Sequence, residues 1–450
     1  MGINLTGIGL SGINAAEAEI QTVEANITNA NNPNYSAESV QLSTRAGPDG
    51  ASIGVDVTRI ERAEAPFLTD AMNQAQSTDS FNSSFARITQ LGQTYLAPAS
   101  GNDLLKSLQD LFNSFTNLSA SPADPNLRSA VLNAAGGFAT LSQGLSLQLN
   151  RTAMNELSGL SALVQQVNDD SRQLASINGQ IQRVRAGGGS AAALLDQRDA
   201  LASDLANLIG ARMDAKGNVA IAGVPLVSGN LALPLSVTGS GSNVSLQVAL
   251  LNGNLQMPAG QLGGSIGGIL AAATRVGQLN TALNDFVVSV ATAINTQHQS
   301  GFGLDGSTGN QLFLIGGGGI GISLNPAVTV QNLAASQTLA GVPGDGSNAA
   351  AMAALAKATG LDTSFPTSTL GQAYGQIVSD FGSSVQGAMN AQLYAAASFQ
   401  SLNQLKGSIT GVSLNEELTH LVQFKNALEA AGRAVQIAND ITTFLITEIS

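Results

Sequence analysis

A mainly α-helical protein with a smaller β part is what this chain predicts. Its expected shape is an elongated rod of long antiparallel helices. The N- and C-terminal helices are paired as a coiled coil, and a β insertion sits at the centre. Three observations predict this. Both ends carry apolar residues at alternating three- and four-residue intervals, a seam that must meet another helix because one helix cannot hide it alone. Long interior stretches keep the helical period between Pro- and Gly-rich punctuation. At Asp214 the texture changes to short apolar runs separated by Gly, Asn and Ser.

The first helix is expected up to Asn32, with Ile13, Ile20 and Ile27 interleaved with Ala16, Val23 and Ala30. Gly7, Gly9 and Gly12 loosen its start, each costing about 1 kcal/mol against Ala. Asn31-Asn32-Pro33-Asn34 ends it, since Asn tolerates left-handed geometry and Pro cannot continue a helix. Residues 36–64 alternate in places, at Ile53, Val55 and Val57, and read as short strands or an extended arm. The helical period returns at Pro66 and again over Leu104–Leu118. Ser121-Pro122-Ala123-Asp124-Pro125 then sets up a new helix, with Asp124 as the cap and Pro125 in the first turn. That helix is expected to run to Arg185, about 90 Å, with Gly136-Gly137 as a kink. Ala191–Ile209 is a further helix closed by Gly210.

From Asp214 the runs Val219–Ile221, Val224–Val227, Leu231–Val237 and Val244–Leu251 read as strands, and Asn252-Gly253 as a hairpin turn. Helix resumes over Ile266–Gln299, Ala349–Ala358 and Leu370–Lys406. The last helix, Leu414–Ile449, opens with Ser413 and Glu416 in capping-box spacing. Its seam consists of Leu414, Leu421, Leu428, Val435 and Ile449 in one heptad series, with Phe424, Ala431, Ala438 and Leu445 in the companion series. The domain expectation is nested. Residues 1–60 with 407–450 form a terminal coiled-coil domain. Residues 61–212 with 263–300 and 366–406 form a long-helix bundle. Residues 213–262 with 301–365 form a small β-rich outer domain.

Composition narrows the function. Of 450 residues 44% are hydrophobic but only 4% aromatic, with no Trp, which suits close helix packing better than a deep ligand pocket. The formal net charge of −12 opposes phosphate backbones and anionic lipid headgroups, so neither nucleic acid nor membrane is an expected partner. Cysteine is absent, which excludes disulfides and thiolate chemistry and suits export. No basic segment followed by an apolar core marks a cleavable secretory signal, and no run of 18 apolar residues occurs. Met1-Gly2-Ile3-Asn4-Leu5-Thr6 spells a myristoylation pattern, but it leads straight into a helix seam.

Candidate chemistry is thin. Gly301-Phe302-Gly303-Leu304-Asp305-Gly306 spells a dinucleotide motif, yet a helix precedes it and none follows directly, so it reads as a loop. Gly316–Gly319 lacks the Lys-Ser/Thr of a phosphate loop. The two histidines, His298 and His420, have no helical partner spacing for a metal. Asp196, Arg198, Asp199 and Asp204 read as a salt bridge between packed helices, Arg198 at its centre, in preference to a catalytic carboxylate pair. No catalytic residue, cofactor or metal site is expected.

The opening LSGINAAEAEIQTVEANITNANNPNYS resembles the start of bacterial flagellar axial proteins, with Asn31, Pro33 and Tyr35 in the motif and Asn34 where the pattern has Gly. The end, GVSLNEELTHLVQFKNALEAAGRAVQIANDI, resembles their C-terminal signature. SPADPNLRSAVLNAA, LLDQRDALASDLANLIG (which holds Asp196, Arg198 and Asp199) and INTQHQSGFGLDGSTGNQLF are similar to stretches of the hook-associated protein 1 family. That resemblance implies a non-enzymatic adapter annulus between hook and filament, polymerised through the terminal helices. It also implies a secreted, flagellar location reached by type III export. The implied partners are further copies of the chain, hook protein, the second junction protein and a cytoplasmic export chaperone. The alternatives are another axial protein, or an axial protein carrying an exported hydrolase in its β domain. The expected assembly seam is Ile13, Ala16, Ile20, Val23 and Ile27 with Leu414, Leu421, Phe424, Leu428, Val435, Ala438 and Leu445.

Overall fold

A computed structural model describes residues 5–47, 50–96, 103–239, 244–250, 253–257, 259–316 and 321–449. Met1–Asn4 of the myristoylation pattern, Asn252, Gly317–Gly319 and the side chain of Ile449 lie outside the described residues. The fold is mainly helical with small antiparallel sheets. Helix α1 (Leu5–Asn29) leads into the hairpin of β1 (Glu38–Ala46) and β2 (Ser52–Arg62), whose pairing slips twice at bulges. Helices α2 (Pro66–Leu96), α3 (Leu104–Ala120), α4 (Pro125–Ser158), α5 (Leu160–Ala186) and α6 (Ala192–Ile209) follow.

Strands β3 (Arg212–Met213), β4 (Val219–Ile221), β5 (Val224–Ser228) and β6 (Leu231–Ala232) form one meander. β7 (Leu235–Thr238), β8 (Ser245–Leu250) and β9 (Gly253–Met257) form another, with β8 and β9 joined across Leu250 and Gly253. Then come α7 (Gly264–Gln299), the short pair β10 (Phe313–Ile315) and β11 (Ile322–Leu324), α8 (Ser347–Ala354), α9 (Leu370–Thr410) and α10 (Leu414–Ile449).

The sequence punctuation acts as its chemistry requires. The Asp124 side chain accepts from the Asn126 N–H at 2.8 Å, and Pro125 occupies the first turn of α4. Gly210 closes α6 in the left-handed region at φ 71°, and a Cβ there would sit 2.6 Å from the Gly263 Cα. The helix expected to run unbroken to Arg185 instead stops at Gly159, and Gly136-Gly137 lie inside α4 without interrupting it. The break separates allegiances. Val131, Phe138 and Leu149 of α4 join a core with α3, α7, α8 and α9, whereas Leu160, Val167 and Leu174 of α5 join a second core with α6 and the meanders. Helix α7 enters both, Ile266 and Leu270 in the second and Phe286, Val290 and Ile294 in the first.

One grouping expected from sequence is corrected by these cores. Residues 213–262 pack on α5 and α6, but Leu312, Phe313, Ile322, Leu333 and Met352 pack into the first core. The segment 301–365 is therefore no partner of the meanders. Its apolar side chains pack among α3, α4 and α7, where a buried phenylalanine pair, Phe138 and Phe313, meets edge to face at 6.3 Å. Gly301–Gly306 is a loop, with the Leu304 N–H on the Gln331 carbonyl at 2.6 Å and the strand β10 as the next element.

His298 closes α7 in a fully buried position. Its Nδ1–H donates to the Asn310 carbonyl at 2.7 Å, because its Nε2 accepts from the Ala334 N–H at 3.0 Å. Only the neutral ring satisfies both contacts. Burial pushes its pKa below the ordinary 6.5, against a smaller raising effect of the Asn310 bond. The unfolded chain therefore binds this proton more readily than the folded one. Stability from this group is complete above about pH 6.5 and falls as the pH drops below it. Replacing His298 with Phe is expected to remove that slope in a urea-unfolding series across pH 5.5–7.5. It should also lower stability at pH 7.5 by about 2 kcal/mol, from the orphaned carbonyl and N–H.

Candidate assembly face at the paired termini

The two terminal seams meet each other. Helix α1 lies antiparallel to α10. A Cβ on Gly9 would stand 2.5 Å from the Val435 Cγ2, and one on Gly12 3.3 Å from the Ala431 Cβ. At the other end the Asn26 amide reaches Glu417 of α10. The glycines set how closely the two backbones approach here. Ala16, Val23 and Ala438 are buried, and Ile13, Ile20, Ile27, Leu421, Phe424, Leu428 and Val435 are half-buried. The hairpin covers another side of α1, where the Val55 N–H donates to the Ser11 hydroxyl at 3.1 Å.

This changes the standing of the expected assembly seam. Most of it is satisfied inside the chain; only Leu414 and Leu445, near the two ends of α10, remain exposed. A second stripe lies one position earlier on the same helix: Ala427, Ala430, Ala434, Ile437, Ile441 and Phe444, again in three-four spacing. All six are exposed, with Ile437 at 59% and Phe444 at 62%. The sequence carried the signal for this stripe, but the stronger neighbouring series masked it.

The motif after α1 builds an anchor for the pair. Asn31 and Pro33 are exposed in a turn, closed by the Asn32 N–H on the Asn29 carbonyl at 2.8 Å and the Tyr35 N–H on the Asn32 carbonyl at 3.1 Å. The turn brings Tyr35 back onto Asn26, which is 1% exposed. The Asn26 Nδ2 donates to the Glu38 carbonyl at 2.9 Å and to the Glu417 Oε1 at 3.0 Å. Its Oδ1 accepts from the Tyr35 hydroxyl at 2.8 Å and the Glu38 N–H at 2.9 Å. All four hydrogen-bonding positions of the amide are filled, so one side chain ties α1, the turn, β1 and α10 together. Burial, and then the charges of Glu38, Asp196 and Glu417, push the Tyr35 hydroxyl far above its ordinary range, so it stays a donor.

Beside it lies the acidic patch, with a different arginine at its centre from the one expected. Arg62, the last residue of β2, donates to the Asp196 Oδ1 at 2.7 Å and to the Asp199 Oδ2 at 2.5 Å. Arg198 reaches Asp199 only at 3.5 Å, and Asp204 is not one of the carboxylates that Arg62 holds. The Ser36 N–H adds a long bond of 3.4 Å to Asp196. Burial pushes the Asp196 carboxyl upward against the lowering by Arg62. Burial opposes the Arg62 charge in turn, but Asp199 and Asp196 outweigh it and hold its pKa up. His420 is exposed, its ring 5.8 Å from that of Phe424. Among the described residues no group of three or more His, Asp or Glu side chains is placed to hold a metal ion, and no helix is long and apolar enough to cross a membrane.

Fold and site together define a class: a mainly helical chain whose ends are paired and whose last helix leaves an apolar stripe open. The family described as the flagellar hook-associated protein FlgK helical domain matches residues 89–313, half of the 450-residue chain, and the chain belongs to that family. Flagellar hook-associated protein 1 of Escherichia coli K12 is 31% identical over 335 residues, which cover 70% of this chain and 60% of that protein. Its Salmonella typhimurium counterpart is 30% identical over the same length, and again 60% of it is covered. That of Bacillus subtilis is 23% identical over 485 residues, 95% of each chain. The solved structure of the flagellar hook junction protein FlgK from Burkholderia pseudomallei shares the fold, with a TM-score of 0.64 and 16% identity over 77% of this chain and 100% of that one.

Proposed function

We propose that this chain is a structural subunit of the flagellar axis and forms the adapter annulus between hook and filament through its terminal helices. The observation that carries the reading is the open stripe of α10. Six apolar residues in seam spacing stand exposed beside a seam that α1 already fills, and such a stripe gains by meeting a second helix pair. Residues 1–60 with 407–450 act as the assembling unit, and exposed Leu414 and Leu445 extend the contact. The names of the relatives, hook-associated and hook junction proteins, support the position. In that position the neighbours are hook protein on one side and the second junction protein on the other. Export through the flagellar type III system, with a chaperone on the C-terminal helix, delivers the chain. The role needs no catalysis.

The test is a host strain whose only copy carries Ile437→Asp and Ile441→Asp. Both positions are exposed, so monomer stability should change by no more than about 0.5 kcal/mol. The expected outcome is export of the variant, hooks without filaments, and flagellin shed as monomer. Normal filaments would overturn the reading. Leu421→Asp is a poorer test, because Leu421 lies on the heptad face that α1 covers and its loss would unpair the termini themselves.

A further inference from the structure

The terminal unit, made of α1, the hairpin and α10, meets the helical body across a polar joint. None of its described residues belongs to any of the three apolar cores of the body. The chain crosses the joint twice, between Arg62 and Pro66 and between Thr410 and Leu414. Beyond those crossings, hydrogen bonds and ion pairs among the described residues tie the two parts: Arg62 to Asp196 and Asp199, the Ser36 N–H to Asp196, and the Ala37 N–H to the Thr410 carbonyl at 2.8 Å. Three cavities, of about 310, 530 and 320 Å³, surround the joint, and Arg62 lines all of them.

We propose that Arg62 is a positioning residue that sets the angle of the terminal helix pair against the body, by holding two carboxylates one helical turn apart on α6 from the end of β2. The physical argument rests on what is missing around it. Apolar cores resist sliding because their packing is dense and discrete. A joint with open clefts on several sides and no core shared among the described residues has little to resist rotation except directional bonds. The planar guanidinium supplies those in a fixed fork, which fixes orientation as well as distance. Its side chain is 8% exposed and those of its partners 11% and 19%, so solvent ions screen the pairs only weakly. Without the fork, the ties left among those named are the two backbone crossings, the weak Ser36 contact and the Ala37 bond. Such few-residue connections are what domain hinges are made of.

Spin-label distance measurements on the full chain test this, and the absence of native cysteine makes the labelling clean. Gln148→Cys on α4 with Asn426→Cys on α10 reads the distance between body and terminal unit. Gln21→Cys with Asn426→Cys reads inside the terminal unit, and Gln148→Cys with Asn390→Cys inside the body; all four positions are exposed. With Arg62→Met the first distribution is expected to broaden roughly twofold while the other two keep their widths. Arg62→Lys, a point charge without the fork, should fall between. An unchanged first distribution in Arg62→Met would overturn the proposal. So would broadening of the two internal distances, which would make Arg62 a general folding residue.

Discussion

Replacing Arg128 with Ala is expected to cost about 3–5 kcal/mol of unfolding free energy, read by denaturant melts followed by circular dichroism. Arg128 is 2% exposed, and its guanidinium is held by backbone carbonyls. Its Nε donates to the Pro122 carbonyl at 2.6 Å, and one Nη to the Val330 and Leu333 carbonyls at 3.1 and 2.8 Å. Burial lowers its pKa, with Asp305 acting weakly the other way. Truncation relieves that buried charge but leaves three carbonyls without their donor, from segments more than 200 positions apart in sequence. The orphaned acceptors dominate, because each buried unsatisfied group costs about 1–3 kcal/mol. Arg128→Lys should recover only part of the loss, since one ammonium cannot copy the fork.

The second large effect is expected at Asn26. Asn26→Leu removes four hydrogen bonds at once and leaves the buried Glu417 carboxylate without its amide partner, while the Glu417 Oε2 already has no partner. Unpairing of α1 and α10 should become easier by about 3 kcal/mol, visible as loss of amide-exchange protection confined to residues 5–46 and 414–449. Adding Glu417→Leu should restore part of the protection. Removing both members of a buried polar pair costs far less than removing one. If the double variant is as unprotected as the sum of the singles predicts, the two side chains are not coupled.

Much of this fold was legible in the chain because local chemistry dictates it. The Asp124-Pro125 start, the Gly210 stop and the 3.5-residue seams are written in neighbouring residues, and the structure uses each one. Gly159 was not legible as a break. The helical period reads through it, and its backbone stays in the right-handed helical region at φ −75°. Only the change of core from α4 to α5 explains why the helix ends there. Arg62 was hidden for a different reason. It sits 134 positions from Asp196, so the acidic patch pointed to the nearer Arg198. Arg128 did leave a local trace: it falls on the 128, 131, 135, 138 stripe of α4, where a charge has no business unless something receives it. Asn26 left less of a trace, because it lies one position off the apolar seam, on a line of α1 with Ser11, Ala15 and Thr22.

Helix α7 gives the body a mechanical property. Its 36 residues run about 54 Å as one hydrogen-bonded rod, with one end seated in the meander core and the other in the core built around Phe286. A pull or push on one core therefore reaches the other along covalent backbone and helix hydrogen bonds in series, without having to shear an interface. The body behaves as a strut with two heads.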